Sequence, residues 1–321
     1  MRDRQLNELF INLLRNKISD DKKIATILSE ILDVQKESVY RRLRNEVVFT
    51  FSEITQISHS LSISLDHIVG MEDDYYPYIL KSVNNKEIRK DIYSVLNEYS
   101  DWAKRLVKEE KNKFSIVTST IPIAFSFSHE YLMKWVLYNW DYRRYYQTGP
   151  LKRFDNIDFD PYIFDLSRDV ATTFKGIAQS DFILDKTFLQ DLISDIITFR
   201  IFKCIGEEDV KKIKNELILF LDYLETIAIE GCYLESGNKV SIYISEIKPR
   251  SGFGYARAEN YNISFIKLFT FDSIISFSKK CFSDTCNWVK SYERASTLIS
   301  VSSELNRTTF FEEQRRILDN L

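Results

Sequence analysis

Four basic side chains, Lys36, Arg41, Arg42 and Arg44, fall within nine residues, with only Glu37 opposing them. Gln35, Ser38 and Tyr40 stand among them, so the stretch gathers guanidinium groups, an amide and two hydroxyls. What these groups share is the capacity to hydrogen-bond fixed partners. A guanidinium places two parallel N–H bonds on one planar acceptor, and an amide donates and accepts side by side. Side chains of these types hold base edges and phosphate oxygens. An ordinary solvated basic face has the same composition, so the chemistry depends on the element that presents it.

The rest of the chain offers little that points to catalysis. There are three histidines, and only His129 falls outside the first seventy residues. No G-x-S-x-G, P-loop, G-x-G-x-x-G or H-E-x-x-H occurs, and Gly252-Phe-Gly254 is a lone G-x-G between strand-like runs. The acidic run Asp155-Asn-Ile-Asp-Phe-Asp160 lacks the glycine and terminal glutamate of a calcium loop and reads as solvated. Cys204, Cys232, Cys281 and Cys286 form no C-x-x-C pair, and they read as small buried side chains in a reducing compartment. The chain is therefore not expected to be an enzyme, nor to carry a cofactor or a metal.

The elements around the basic stretch can be read from periodicity. Leu6, Leu9, Phe10, Leu13 and Leu14 recur at helical spacing and form one apolar face. Ser19-Asp20-Asp21 supplies capping oxygens before a second run, Ile24, Ile27, Leu28, Ile31 and Leu32. Asp33 follows, one of the few residue types that tolerate a left-handed backbone, so a tight turn is expected there. Residues 36–44 form a short third helix whose Val39 and Leu43 point inward, leaving Lys36, Glu37, Tyr40, Arg41 and Arg44 outward. A fourth helix spans Phe51 to Leu61, and a fifth runs from Ser64 to the stop signal Gly70.

This order of five short helices resembles the lambda-repressor-like, Cro-type helix-turn-helix domain of the xenobiotic-response-element family. The resemblance covers about residues 5–70. It rests on the turn Leu32-Asp-Val-Gln35, on Ser38-Val39-Tyr40-Arg41, and on the closing Leu61-Ser-Ile-Ser-Leu65-Asp-His-Ile68. The chain departs from the family pattern in having Asp33 where glycine is usual at the turn and Ala25 near the usual glutamine. Arg44-Asn45-Glu46 likewise replaces Glu-x-Gly after the third helix. The resemblance implies double-stranded DNA as partner, with helix 36–44 in the major groove. Gln35, Lys36, Ser38, Tyr40 and Arg41 would then read bases, and Arg42 and Arg44 would bind phosphates. It also implies a homodimer.

Charge and composition bound the alternatives. Forty-four basic against 47 acidic residues give a net charge of −3, which excludes a polybasic tail as the route to nucleic acid or an anionic membrane. Eight glycines and five prolines in 321 residues disfavour a turn-rich β-sandwich or a disordered linker. No signal peptide and no membrane span is readable, and a cytoplasmic protein is expected.

A boundary is expected at Met71-Glu-Asp-Asp-Tyr-Tyr-Pro77, dividing a domain 1–70 from a domain 71–321 that holds 41 of the 45 aromatic residues. Ile88, Ile92, Val95, Tyr99, Trp102 and Leu106 make a heptad-like seam. It would pair two copies or pack on its own domain, and Leu96 and Ala103 widen the stripe toward the second. Ser115–Ser119 reads as β-like, and helices are expected near 128–144, 161–178, 187–205, 207–230, 273–292 and 303–320. Residues 240–247, 252–257 and 263–269 read as an antiparallel meander. The expected fold is mainly α: the five-helix domain, then a larger, mostly helical α+β domain with a small antiparallel sheet. That domain would serve dimerisation or effector sensing, with Trp135, Tyr138, Phe199, Tyr243 and Phe265 as candidate pocket residues for a small molecule. The function expected is a sequence-specific transcription regulator. The alternative is a protein-interaction adaptor whose helix-turn-helix has lost operator specificity.

Overall fold

The computed structural model describes residues 2–18, 20–61, 63, 65, 78–81, 88–145, 153–156, 160–259, 261–268, 270–271 and 273–321. The chain forms two compact units, Met1–Ile79 and Leu80–Leu321. The expected fifth helix, apart from Leu65, and the expected boundary segment lie outside the described residues.

The first unit contains α1 (Arg2–Lys17), α2 (Asp21–Leu32), α3 (Lys36–Leu43) and α4 (Phe51–Leu61). Asp20 caps α2 by accepting the Lys22 N–H at 2.9 Å. Asp33 ends it in the left-handed region, φ 53° and ψ 48°. Asn45 takes the same conformation after α3, φ 60°. Thr50 and Glu53 cap α4 reciprocally: Glu53 accepts the Thr50 N–H at 2.8 Å while Thr50 Oγ1 accepts the Glu53 N–H at 3.2 Å. The core joins Phe10, Ile11, Leu14, Ile24, Leu28, Val39, Leu43, Phe49 and Ile57. Phe10 and Phe49 meet edge to face, and a buried ring of this kind is worth about 2–3 kcal/mol.

The inward face of α1 differs from the expected one. Leu6 and Leu9 are exposed, and the buried stripe is Asn7, Phe10, Ile11 and Leu14. That stripe also has helical 3-4-7 spacing, but its first member is polar, so an apolar count misses it.

The second unit corrects the expected fold class. After β1 (Ile79–Lys81) come α5 (Ile88–Lys108), β2 (Lys113–Thr118), α6 (Ile123–Ser126), α7 (Glu130–Tyr145), α8 (Pro161–Lys175), β3 (Gln179–Asp185), α9 (Gln190–Ile201), α10 (Glu207–Glu230) and β4 (Lys239–Ser245). β5 (Phe253–Arg257), β6 (Asn262–Lys267), β7 (Ser273–Ser276), α11 (Lys279–Arg294), β8 (Ser296–Leu298) and α12 (Glu304–Asp319) complete it. The sheet is mixed and larger than a small antiparallel one, in the order β7-β6-β5-β2-β3-β4-β8, with the short β1 beside β7. β2, β3 and β4 are parallel, in register Ile116 to Phe182 to Ile242. β5, β6 and β7 extend one side antiparallel, and β8 closes the other.

The expected meander over 240–269 therefore breaks after β4, which pairs with β3 and not with β5. β3 had no counterpart in the sequence reading, and its residues 180–185 are all buried. A strand covered on both faces shows no alternation of apolar and polar residues, so period-2 reading passes over it. The expected helix at 273–292 is a strand, β7, followed by α11.

Helices cover one face of the sheet in a single aromatic-rich core, and α11 covers the other through Val117, Ile183, Tyr255, Cys286 and Val289. The α5 seam packs inside this unit: Ile92, Val95, Leu96, Ala103 and Leu106 are buried, and α5 lies against α8. Its apolar stripe is thus used within the fold. Among the described residues no helix is long and apolar enough to cross a membrane.

Candidate nucleic-acid interface

The basic helix is held from beneath and behind. Val39 is fully buried and Leu43 nearly so, which fixes the rotation of α3 about its axis. Rotation then decides every other position. Gln35 is the N-cap residue with extended backbone, and its side chain makes no capping bond. Gln35, Lys36 and Arg41 are exposed, Ser38 and Tyr40 are half-buried, and Arg44 is exposed at the helix end. Tyr40 leans on the apolar core.

Lys36, Ser38 and Arg42 are engaged with residues of α2, α3 and α4. Lys36 Nζ donates to Thr26 Oγ1 of α2 at 2.9 Å, tying the two helices of the turn together. Ser38 Oγ accepts from Arg42 Nη1 at 2.6 Å. Arg42 differs most from its expected phosphate role. Its guanidinium reaches Glu53 at 2.6 Å, bonds the Ser38 carbonyl at 3.0 Å and lies 5.9 Å from the Phe49 ring. Only 14% of its side chain is exposed. At i+4 from Ser38 and facing α4, Arg42 is an internal fastening. Burial pushes the Glu53 carboxyl up, but the Thr50 N–H and the Arg42 guanidinium outweigh it and hold it below the usual range.

The outward cations are Lys36, Arg41 and Arg44. Arg44 donates to Glu46 at 2.7 Å and to Glu37 at 3.2 Å, and both contacts raise its pKa. Arg41 lies 3.7 Å from Glu46, with 57% of its side chain exposed. Glu46 is held low chiefly by Arg44. Exposed pairs of this kind contribute little in water, so a polyanion can displace them.

Two supporting residues escaped the sequence reading. Asn7 is 2% exposed; its Nδ2 donates to Asn45 Oδ1 at 2.7 Å and its Oδ1 accepts the Phe49 N–H at 2.9 Å. It fastens α1 to the loop that leaves α3. Glu53 caps α4 and clamps α3 at once. Its signal was present as Thr50-x-x-Glu53, the spacing of a reciprocal cap.

The candidate effector residues do not share a cavity. Trp135, Tyr138 and Phe199 interlock in the core, with Phe199 edge-on to both other rings. Tyr243 packs on the α11 side of the sheet. Phe265 instead lines an apolar cavity of about 190 Å³ with Tyr99, Trp102, Phe114 and Phe174. A larger crevice of about 710 Å³ adjoins it, bordered by Thr118–Ile121 after β2, by Trp135, and by the loop Arg250–Gly252. It lies outside the carboxyl end of a parallel strand, where open α/β sheets commonly bind ligands.

The acidic run is divided in use. Asp155 pairs with Arg153 and Asp160 caps α8, while residues 157–159 lie outside the described ones. Among the described residues no group of three or more His, Cys, Asp or Glu could hold a metal ion. No protein family, curated protein or solved structure matches this chain.

Proposed function

We propose that the chain is a sequence-specific DNA-binding transcription regulator of the lambda-repressor-like, Cro type, acting as a dimer, with α3 entering the major groove. The observation that carries this reading is one short helix after a left-handed turn, its apolar side buried and Gln35, Lys36, Arg41 and Arg44 turned outward. Such a helix offers its N-terminal and outward side chains to base edges. Gln35 suits adenine and Arg41 suits guanine, each through two hydrogen bonds. Arg44 suits a phosphate, and Arg42 works from inside by holding α3 against α4. The second unit would supply dimerisation and effector sensing.

Selection of bound sequences from random duplex DNA tests the proposal. The expected result is a near-palindromic site with half-sites about 34 Å apart. Recovery of no enriched sequence would sink it.

One observation favours a protein-interaction adaptor instead. Glu37 and Glu46 already occupy Arg44, and Glu46 approaches Arg41, so the outward cations are partly neutralised from within. A salt titration separates the two readings. A regulator loses affinity steeply with salt yet keeps a large preference for its site, whereas an adaptor holds all duplexes equally and weakly.

A further inference from the structure

On β6, Ile263, Phe265 and Lys267 alternate onto one face and together line the 190 Å³ cavity. The other walls come from α5 (Val95, Tyr99, Trp102), from β2 (Phe114, Ile116) and from Phe174 of α8. Phe114 stacks on Phe265 and meets Phe174 edge to face, so the pocket presents both ring faces and ring edges. An engineered apolar cavity of about 150 Å³ accommodates benzene, so this volume suits one aromatic ring with a short arm.

The walls are apolar except for Lys267, its cross-strand neighbour Ser273 and the exposed Glu98. Lys267 keeps a margin of exposed surface, but its ammonium lies in an apolar setting, and desolvation lowers it to about 8. Among the described residues that ammonium has no hydrogen bond and no ion pair, and burial is the sole influence on it. Its position is built. The Lys267 N–H donates to the Gly252 carbonyl at 2.6 Å, and a Cβ on Gly252 would stand 3.2 Å from Lys267 Cδ, so the missing side chain leaves room for the lysine stem. Lys267 also borders the larger crevice, which gives a ligand a path in. A partly exposed cation without a partner at the margin of an apolar cavity is a ready counter-ion for a ligand anion.

We propose that this cavity binds a small aryl carboxylate, its ring seated among Trp102, Phe114, Phe174 and Phe265 and its carboxylate paired with the Lys267 ammonium. The site lies wholly within the second unit and does not depend on DNA contact, so its test uses the full chain without DNA.

Titration calorimetry with phenylacetate and 3-phenylpropanoate, against 3-phenylpropanamide as the neutral counterpart, decides the matter. Saturable one-to-one binding of an acid is expected, with the amide held at least about tenfold more weakly. Lys267→Met should abolish the preference for acid over amide, Lys267→Arg should keep it, and Ala124→Leu should remove both ligands by filling the cavity. If Lys267→Met does not fold, the acid-to-amide ratio on the unaltered protein and on Lys267→Arg still decides. The absence of saturable binding by either acid overturns the proposal, as does equal affinity for acid and amide. Hexanoate held as tightly as the aryl acids overturns the aromatic assignment. Reductive trapping of benzaldehyde on Lys267 by cyanoborohydride, without any affinity for the acids, would replace the ion pair by imine capture.

Discussion

The Arg42 guanidinium lies 2.6 Å from the Glu53 carboxylate, and the other oxygen of that carboxylate accepts the Thr50 N–H at 2.8 Å. One side chain therefore starts α4 and holds α3 against it. Arg42→Met should cost the first unit about 1–2 kcal/mol, and Glu53→Ala roughly 2–3 because the cap is lost as well. Hydrogen exchange of the α3 and α4 amides in the full chain measures this locally. Because the Glu53 carboxyl is held low in the fold, its contribution is fully present above the unfolded value of 4.5 and is lost as pH falls through the folded one. Protection of α3 that stays flat from pH 6 to pH 3 would refute the clamp.

Arg41 is the outward guanidinium with the weakest internal tie, 3.7 Å to Glu46. Arg41→Ala should cost about 1–3 kcal/mol of operator binding and relax one base position. Arg42→Ala should weaken all sequences alike, by loosening α3. A selection assay in which Arg41→Ala leaves both affinity and preference unchanged removes Arg41 from the reading set.

Asn7→Leu strips the Phe49 N–H of its acceptor inside the core. A buried donor left unsatisfied costs about 1–3 kcal/mol. Faster exchange of the Phe49 amide and of α1 is expected, with the second unit unchanged.

Gly254 is required by close approach. A Cβ there would stand 2.1 Å from the Ser115 carbonyl oxygen and 2.8 Å from the Phe265 ring. Backbone cannot give way cheaply, so Gly254→Ala should destabilise the second unit by about 3 kcal/mol. Thermal melting followed through tryptophan reads this unit alone, since Trp102, Trp135, Trp140 and Trp288 all lie in it. An unchanged melting temperature would contradict the tight β2–β5 pairing.

Lys267 predicts a pH signature of the same sign as that of Glu53 but in an alkaline window. Its folded value of about 8 lies below the ordinary 10.5, so between the two the unfolded chain keeps a proton that the folded chain has shed. Stability therefore rises with pH across that window through this group. Lys267→Met should melt higher than the unaltered protein at pH 7, and the gap should close toward pH 10. Glu98, the other charged group on that wall, is common to both proteins and cancels in the difference. A gap that is constant with pH would show that the ammonium is solvated.

The order of helices in the first unit was legible because each depends on neighbours in sequence: periodic apolar residues, capping oxygens and residue types that tolerate a left-handed turn. Asp33 takes that conformation at the position where local chemistry predicts it. What each cation of α3 does was not legible. Arg41, Arg42 and Arg44 look alike in sequence, and only the packing of α4 turns Arg42 inward onto Glu53 while Arg41 stays in solvent. The second unit divides the same way. Most of its helices and the strands near 240, 253 and 263 follow from local pattern. The parallel core did not, because strands buried on both faces lose alternation, and pairing of β2 with β3 joins residues more than sixty positions apart. Lys267 carries no local mark at all; it became a candidate ligand group only when the fold set its ammonium beside an apolar cavity without a partner. Short-range preferences are encoded residue by residue, whereas partners and burial are properties of the closed chain.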